Sequence, residues 1–233
     1  AVSSWLNYLT SRPARRIVRH AGQWRSLMTT LFYAKKTCAI GIHVILEEIG
    51  KPYDVKVVDF SKAEQKTPEY KKMNPKGKVP ALVRDDGSVL TEFAAIATWL
   101  AMTNPDKKRL PTDPEGIART LEALDFAVGT LHMLSWRLFR RPDAYSENPA
   151  EHDQLRERGK SAVLAGLDLV NDQLAGHDYL VGDFSIADAA LYYVENWAVE
   201  VAGWPIPANV QAHFERMKKR PSVQASRKLE GVE

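Results

Sequence analysis

The sequence predicts a small α/β domain followed by an all-helical one, and three observations carry that prediction. Between Thr29 and Met102, short runs of β-forming residues alternate with apolar stripes at helical spacing. From Asn104 to Glu115 the chain becomes rich in Pro, Asp and Lys, the composition of a linker. Beyond it the strand signal vanishes and only helical periodicity remains. With 233 residues, 45% of them hydrophobic, the chain can bury one large core or two smaller ones. The expected division is 28–104 for the α/β domain, 105–115 for the linker and 116–233 for the helices.

The elements follow in order. Thr29 to Tyr33 reads as a short strand. Cys38 to Ile49 carries Ile42, Ile45, Leu46 and Ile49 on one face, and Gly50 with Pro52 ends that helix. Tyr53 to Phe60 alternates as a strand. Thr67 caps a short helix with Pro68 at its first position. Val79 to Val83 is a strand, Asp85-Asp86-Gly87 a hairpin turn, and Val89-Leu90 the returning strand. Thr91 is expected to cap a helix running to Met102. The order β-α-β-α-β-β-α makes the first pair of strands parallel, through a crossover, and the last pair antiparallel. Helices are then readable over 116–140, 149–174, 185–201 and 207–220. Ser185 and Asp188 have the spacing of a capping box at the start of the third of these. Leu131, Leu134 and Leu138 read as core.

The first 27 residues differ from the rest. They hold five of the 32 basic residues and no acid, leaving 27 basic against 29 acidic residues in the body. Arg12, Arg15, Arg16 and Arg19 share one helical face, between a Ser11 cap and Gly22. That composition fits a transit peptide, or an upstream stretch read from an early start, since Met28 stands where the body begins. The near-neutral body argues against a nucleic-acid partner. The one cysteine excludes an internal disulfide and fits a reducing, cytoplasmic compartment. No run approaches the roughly 20 apolar residues of a membrane span. No metal-ligand spacing, G-x-G-x-x-G or Walker motif is present.

Pro80 opens a buried strand, although a proline donates nothing to a sheet ladder. A strand starting there leaves neighbouring backbone groups free for another partner. Cys38 stands at the first turn of a helix, where free N–H groups and the dipole favour a thiolate; an inert core cysteine is the other reading of the same position.

The runs NPKGKVPALVRDDGSVLTEFAAIATWLA and FSIADAAL, within this two-domain layout, resemble the glutathione S-transferases over residues 29–220. The resemblance implies a thioredoxin-like first domain and a cis peptide bond before Pro80. It also implies that the backbone of Val79 pairs with the cysteinyl part of glutathione, like an added strand. Glu92 would take the γ-glutamyl ammonium. Phe93 stands where a serine is common, so its backbone N–H alone would hold the γ-glutamyl carboxylate. Lys62 would approach the glycyl carboxylate, although a solvated surface lysine is the stronger reading. LHMLSWRLF is similar to the helix that carries the site histidine in the bacterial beta class, which makes His132 the partner of Cys38. Facing an imidazole, Cys38 is expected to have a lowered pKa. Met133, Trp136, Arg137 and Arg140 lie beside His132; Trp136 and Tyr33 are candidates for a second-substrate pocket, each with an ordinary packing role as the alternative. The implied activity is conjugation of glutathione, as co-substrate, to hydrophobic electrophiles in a homodimer. A glutathione-dependent reductase acting through Cys38, or a non-catalytic binding protein on the same fold, are the alternatives.

Overall fold

The computed structural model describes residues 28–231. The region 1–27, with its arginine-bearing helix, lies outside the described residues. A four-stranded sheet in the order β2-β1-β3-β4 organises the first part. Its strands are β1 (Thr30–Tyr33), β2 (Asp54–Val57), β3 (Ala81–Val83) and β4 (Val89–Thr91). β1 pairs parallel with β2 and antiparallel with β3, and β3 with β4 is antiparallel. The strands are shorter than the sequence suggests. β2 stops at Val57, and β3 starts only after the proline. Helix α1 (Ala39–Ile49) ends at Gly50, whose φ of 71° lets its N–H reach the carbonyl of Leu46. The short α2 (Pro68–Met73) starts as expected, with the Thr67 hydroxyl accepting from the N–H of Tyr70.

Helix α3 (Phe93–Met102) corrects one expectation. Thr91 belongs to β4 and caps nothing; Glu92 occupies the cap position, at φ 73°. A glutamate in that left-handed region is strained by about 1–3 kcal/mol and persists where its surroundings over-determine it. The reason is geometric: the chain must leave the sheet and turn into α3 within one residue.

The helical part begins with α4 (Pro114–Asp125), capped by Asp113. Its hydrogen bonding widens over Phe126–Trp136 to the i→i+5 pattern before closing with Arg137–Arg140. Such widened turns shift every following side chain around the axis and recur at functional sites. Leu131 is fully buried, but Leu134, expected in the core, is 67% exposed because the widened turns rotate it outward. Helix α5 (His152–Gln173) packs along this helix, and Gly159 lets the backbone of Phe139 come close. Helix α6 (Ile186–Asn196), extended by widened turns over Trp197–Val201, runs through the core with both halves of its capping box formed. Helix α7 (Ala208–Lys218) is followed by α8 (Pro221–Glu230), a helix beyond the four that the periodicity predicts. α8 packs on α1.

Two polar clusters tie these elements together, one across the two parts and one within the helical part. Glu48 on α1 receives both Arg220 and Arg109, with the Ser222 hydroxyl donating to the same carboxylate. In the helical part, fully buried His213 lies 2.8 Å from Glu195 and 3.3 Å from Asp188, the capping-box acid. The two carboxylates raise the His213 pKa to about 10 against a desolvation that opposes its charge.

Candidate active site

A cleft of about 400 Å³ opens between the sheet domain and α4. The sheet side contributes Cys38, Val79, Pro80, Glu92 and Phe93; α4 contributes His132 and Trp136. The sequence separates these groups by up to a hundred residues, and the fold brings them to one wall and its facing helix.

Val79-Pro80 is a cis peptide bond, as the resemblance implied. Two contacts fix the preceding residue: the carbonyl of Lys78 accepts from the Tyr70 hydroxyl at 2.7 Å and from the Asn74 amide at 2.8 Å. Among the described residues, no protein group pairs with the N–H or the C=O of Val79. Both are left as an open edge of backbone on the cleft. Glu92 is paired with Lys76 at 2.5 Å, and Lys76 also donates to the Thr91 hydroxyl. Both partners are about half exposed, so this pair holds little energy and can be exchanged for a ligand ammonium. The N–H of Phe93 opens α3, free for an anion. The Phe93 side chain turns into the core, where its ring meets Gly41 of α1 and stands edge-on to Tyr193 at 5.3 Å. Phenylalanine at this position is thus a packing element of the domain seam.

Cys38 precedes α1 and is almost wholly buried. Burial pushes its thiol up to about 12; the backbone and Lys78 pull the other way and do not win, and Glu92 adds to the rise. Burial thus works against the lowered pKa expected from the helix start and the facing histidine. The physical reason is that a helix end acts through partial charges worth about 0.3–1 kcal/mol, whereas loss of water costs an anion several. The facing histidine does not supply a positive charge. His132 is lowered to about 4 by burial first, then by Lys78 and Arg137. It is neutral at ordinary pH. Its Nδ1 lies 3.3 Å from the Tyr193 hydroxyl, and its ring stands edge-on to Trp197 and Tyr193. Trp136 stacks on Trp197 at 5.2 Å, and both rings are buried in the core, so Trp136 takes mainly the packing role and only its remaining edge borders the cleft.

Two expected residues fall elsewhere. Tyr33 is fully buried beside His43, on the sheet face that α1 covers, and lines no part of the cleft. Lys62 points to Asp59 at 3.3 Å on an exposed loop, away from the cleft. Lysines do line the cleft, but they are Lys36, Lys76 and Lys78. The last two lie in the Asn-Pro-Lys-Gly-Lys run before the cis bond, and that adjacency was the available signal. Tyr193 and Trp197 carried no motif; only the crossing of α6 beneath α4 brings them to His132.

A thioredoxin-like sheet domain, joined to a helical domain across such a cleft, has the architecture of the glutathione transferases. The comparisons agree. The family models for the glutathione S-transferase N-terminal domain and C-terminal domain match residues 37–103 and 153–225. Glutathione S-transferase GstA of Escherichia coli O157:H7 is 35% identical over 207 residues, covering 87% of this chain and 98% of that protein. A glutathione transferase homologue from Sulfitobacter, solved with bound glutathione, is 30% identical with a TM-score of 0.79, covering 89% of this chain and all of that one. The beta class glutathione S-transferase of Sphingomonas chungbukensis is 29% identical with a TM-score of 0.74, covering 88% of this chain and 100% of that chain. The chain belongs to the glutathione S-transferase family.

Proposed function

We propose that the cleft binds glutathione with its cysteinyl backbone against Val79, its γ-glutamyl end at Glu92 and the N–H of Phe93, and its sulfur beside Cys38 and His132. The chain is a glutathione transferase with glutathione as co-substrate; the residue roles and the hydrophobic electrophile are the finer reading. The observation that carries it is the unpaired Val79 backbone facing a cleft that also holds Glu92 and Cys38.

The chemistry follows from the protonation states. Cys38 stays a thiol, so its S–H donates to the glutathione sulfur and supports that sulfur as thiolate. The positive charge of Lys78 acts on the same spot, since it lowers both Cys38 and His132. The glutathione proton leaves to solvent, the thiolate attacks the acceptor carbon, and a carbon–sulfur bond replaces the bond to the leaving group. A neutral His132, tethered by Tyr193, donates one hydrogen bond to sulfur or acceptor without adding charge. A reductase working through a Cys38 mixed disulfide needs a thiolate there, which burial opposes. No described helix is long and apolar enough to cross a membrane. A cytoplasmic homodimer active in detoxification completes the reading.

The test is titration of glutathione into wild type and Glu92→Gln by calorimetry. Losing one charge-assisted contact weakens affinity by about tenfold or more. An unchanged affinity would remove Glu92 from the site.

A further inference from the structure

Six cations line the cleft, Lys36, Lys76, Lys78, Arg137, Arg140 and Arg141, against one acid, Glu92. Two of the cations are neutralised. Lys76 is paired with Glu92, and Arg141 with Asp143 at 2.7 Å. Among the described residues the charged side-chain ends of the other four make no ion pair with a carboxylate. They divide by wall. Lys36 and Lys78 stand on the sheet side with Val79, where the two carboxylates of glutathione would need them. Arg137 and Arg140 stand on the opposite helix, beyond His132 and beside Trp136. Arg137 is held there by the face of Tyr145, 5.6 Å from the ring centroid, while the Tyr145 hydroxyl bonds the Met133 carbonyl. The guanidinium is parked on an aromatic surface without its charge being cancelled. Two unmatched arginines at the edge of a tryptophan stack form a surface for a flat ring that carries a negative charge.

We propose that the acceptor taken by this cleft is an anionic aromatic electrophile, whose ring sits on the apolar helix side of the cleft beside Val128, Met133 and the edge of Trp136 and whose carboxylate or sulfonate is held by Arg137 and Arg140. The proposal rests on the reading of the cleft as the transferase site and names the substrate class that this site prefers. The conjugation step is unchanged. The glutathione sulfur bonds to the ring carbon, the halide leaves with its electron pair, and the thiol proton goes to solvent. The arginines hold a group that does not react, so they set specificity and do not take part in bond making. A hydrophobic acceptor with no charge would leave both guanidiniums unmatched at the mouth of the cleft.

The experiment compares chlorodinitrobenzene with chlorodinitrobenzoate, each divided by its uncatalysed rate with glutathione. The proteins are wild type, the double variant Arg137→Gln with Arg140→Gln, and the corresponding pair of lysine variants. Wild type should favour the benzoate by about tenfold in kcat/KM, the worth of one charge-assisted contact. The double glutamine variant should lose that preference, mainly through the KM of the benzoate, and the lysine pair should restore part of it. Added salt should erode the preference in wild type. Because Arg137 also acts on His132, the ratio of the two acceptors is the readout, since any change at the imidazole affects both alike.

An equal ratio in wild type and the glutamine variant overturns the proposal. So does a variant whose KM rises for glutathione while the acceptor ratio stays put, because the arginines would then hold the tripeptide. Binding of dinitrobenzoate and of dinitrobenzene, followed by tryptophan quenching with S-methylglutathione present, needs no turnover. If wild type conjugates neither acceptor, the transferase reading fails, and this binding pair still decides whether the cleft prefers the anion.

Discussion

Cys38 offers the sharpest test of the site's electrostatics, because it is the only cysteine and any thiol reagent reports on it alone. Two forces act on its charge. The start of α1 favours the thiolate by about 0.3–1 kcal/mol. Burial disfavours it, and the balance moves the thiol from 9.0 to about 12. Three pH units correspond to about 4 kcal/mol, so desolvation exceeds the helix end several-fold. The thiolate fraction at pH 8 is then about a thousandfold below that of an unshifted thiol. The assay is the rate of alkylation by iodoacetamide against pH in the protein without glutathione. Steric shielding lowers every rate alike, so the midpoint of the curve is what counts, not its height. The rate should climb in proportion to hydroxide beyond pH 10 without levelling. Glu92→Gln should move the curve down and Lys78→Ala up, because Glu92 raises this thiol and Lys78 lowers it. His132→Ala should leave it in place, since that imidazole is neutral. A plateau with a midpoint below the unshifted value of 9.0 would refute the reasoning and return the cysteine to the thiolate role expected from its helix position.

Three further outcomes are expected. His213→Ala strips two buried carboxylates of their partner and should cost about 3–5 kcal/mol in urea denaturation at neutral pH. In wild type the contribution of His213 is fully present below pH 6.5 and is lost as pH rises through about 10, because the folded pKa is raised. Glu195, also raised, adds to the loss in the same direction, so a denaturation midpoint that stays flat from neutral pH to pH 10 would discount the cluster. Gly41→Ala puts a Cβ 2.6 Å from the carbonyl of Ala189 and 2.8 Å from the Phe93 ring; it should destabilise by about 1–3 kcal/mol and weaken glutathione binding through Phe93, as thermal melts and calorimetry would read. Tyr193→Phe keeps the ring packing but frees Nδ1 of His132; nitrogen NMR shifts should show the imidazole tautomers redistributing while stability falls by only about 1 kcal/mol, and an unchanged tautomer ratio would remove Tyr193 as the group that orients His132.

Local chemistry made much of this protein readable before folding. Periodicity separated the sheet domain from the helices. Thr67-Pro68, Gly50 and the Ser185–Asp188 pair marked helix ends that the structure keeps, because caps depend on residues three or four apart. The Val-Pro pair before β3 marked the open backbone edge, and the spacing around Cys38 marked the start of α1. Burial and cross-chain packing were not in that reach. Thr91 reads as a cap because its neighbours are helical, but the register of β4 on β3 takes it into the sheet. Leu134 reads as core at 3.6 residues per turn, and the widened turns of α4 carry it to the surface. Cys38 reads as an activated thiol because the sequence shows the helix it starts and hides the protein that covers it. The preference for thiol over thiolate, the neutral His132 and the line of arginines facing Lys78 all arise where two distant segments meet. A charge's energy depends on the water removed from around it and on neighbours in space, and only the tertiary structure fixes those.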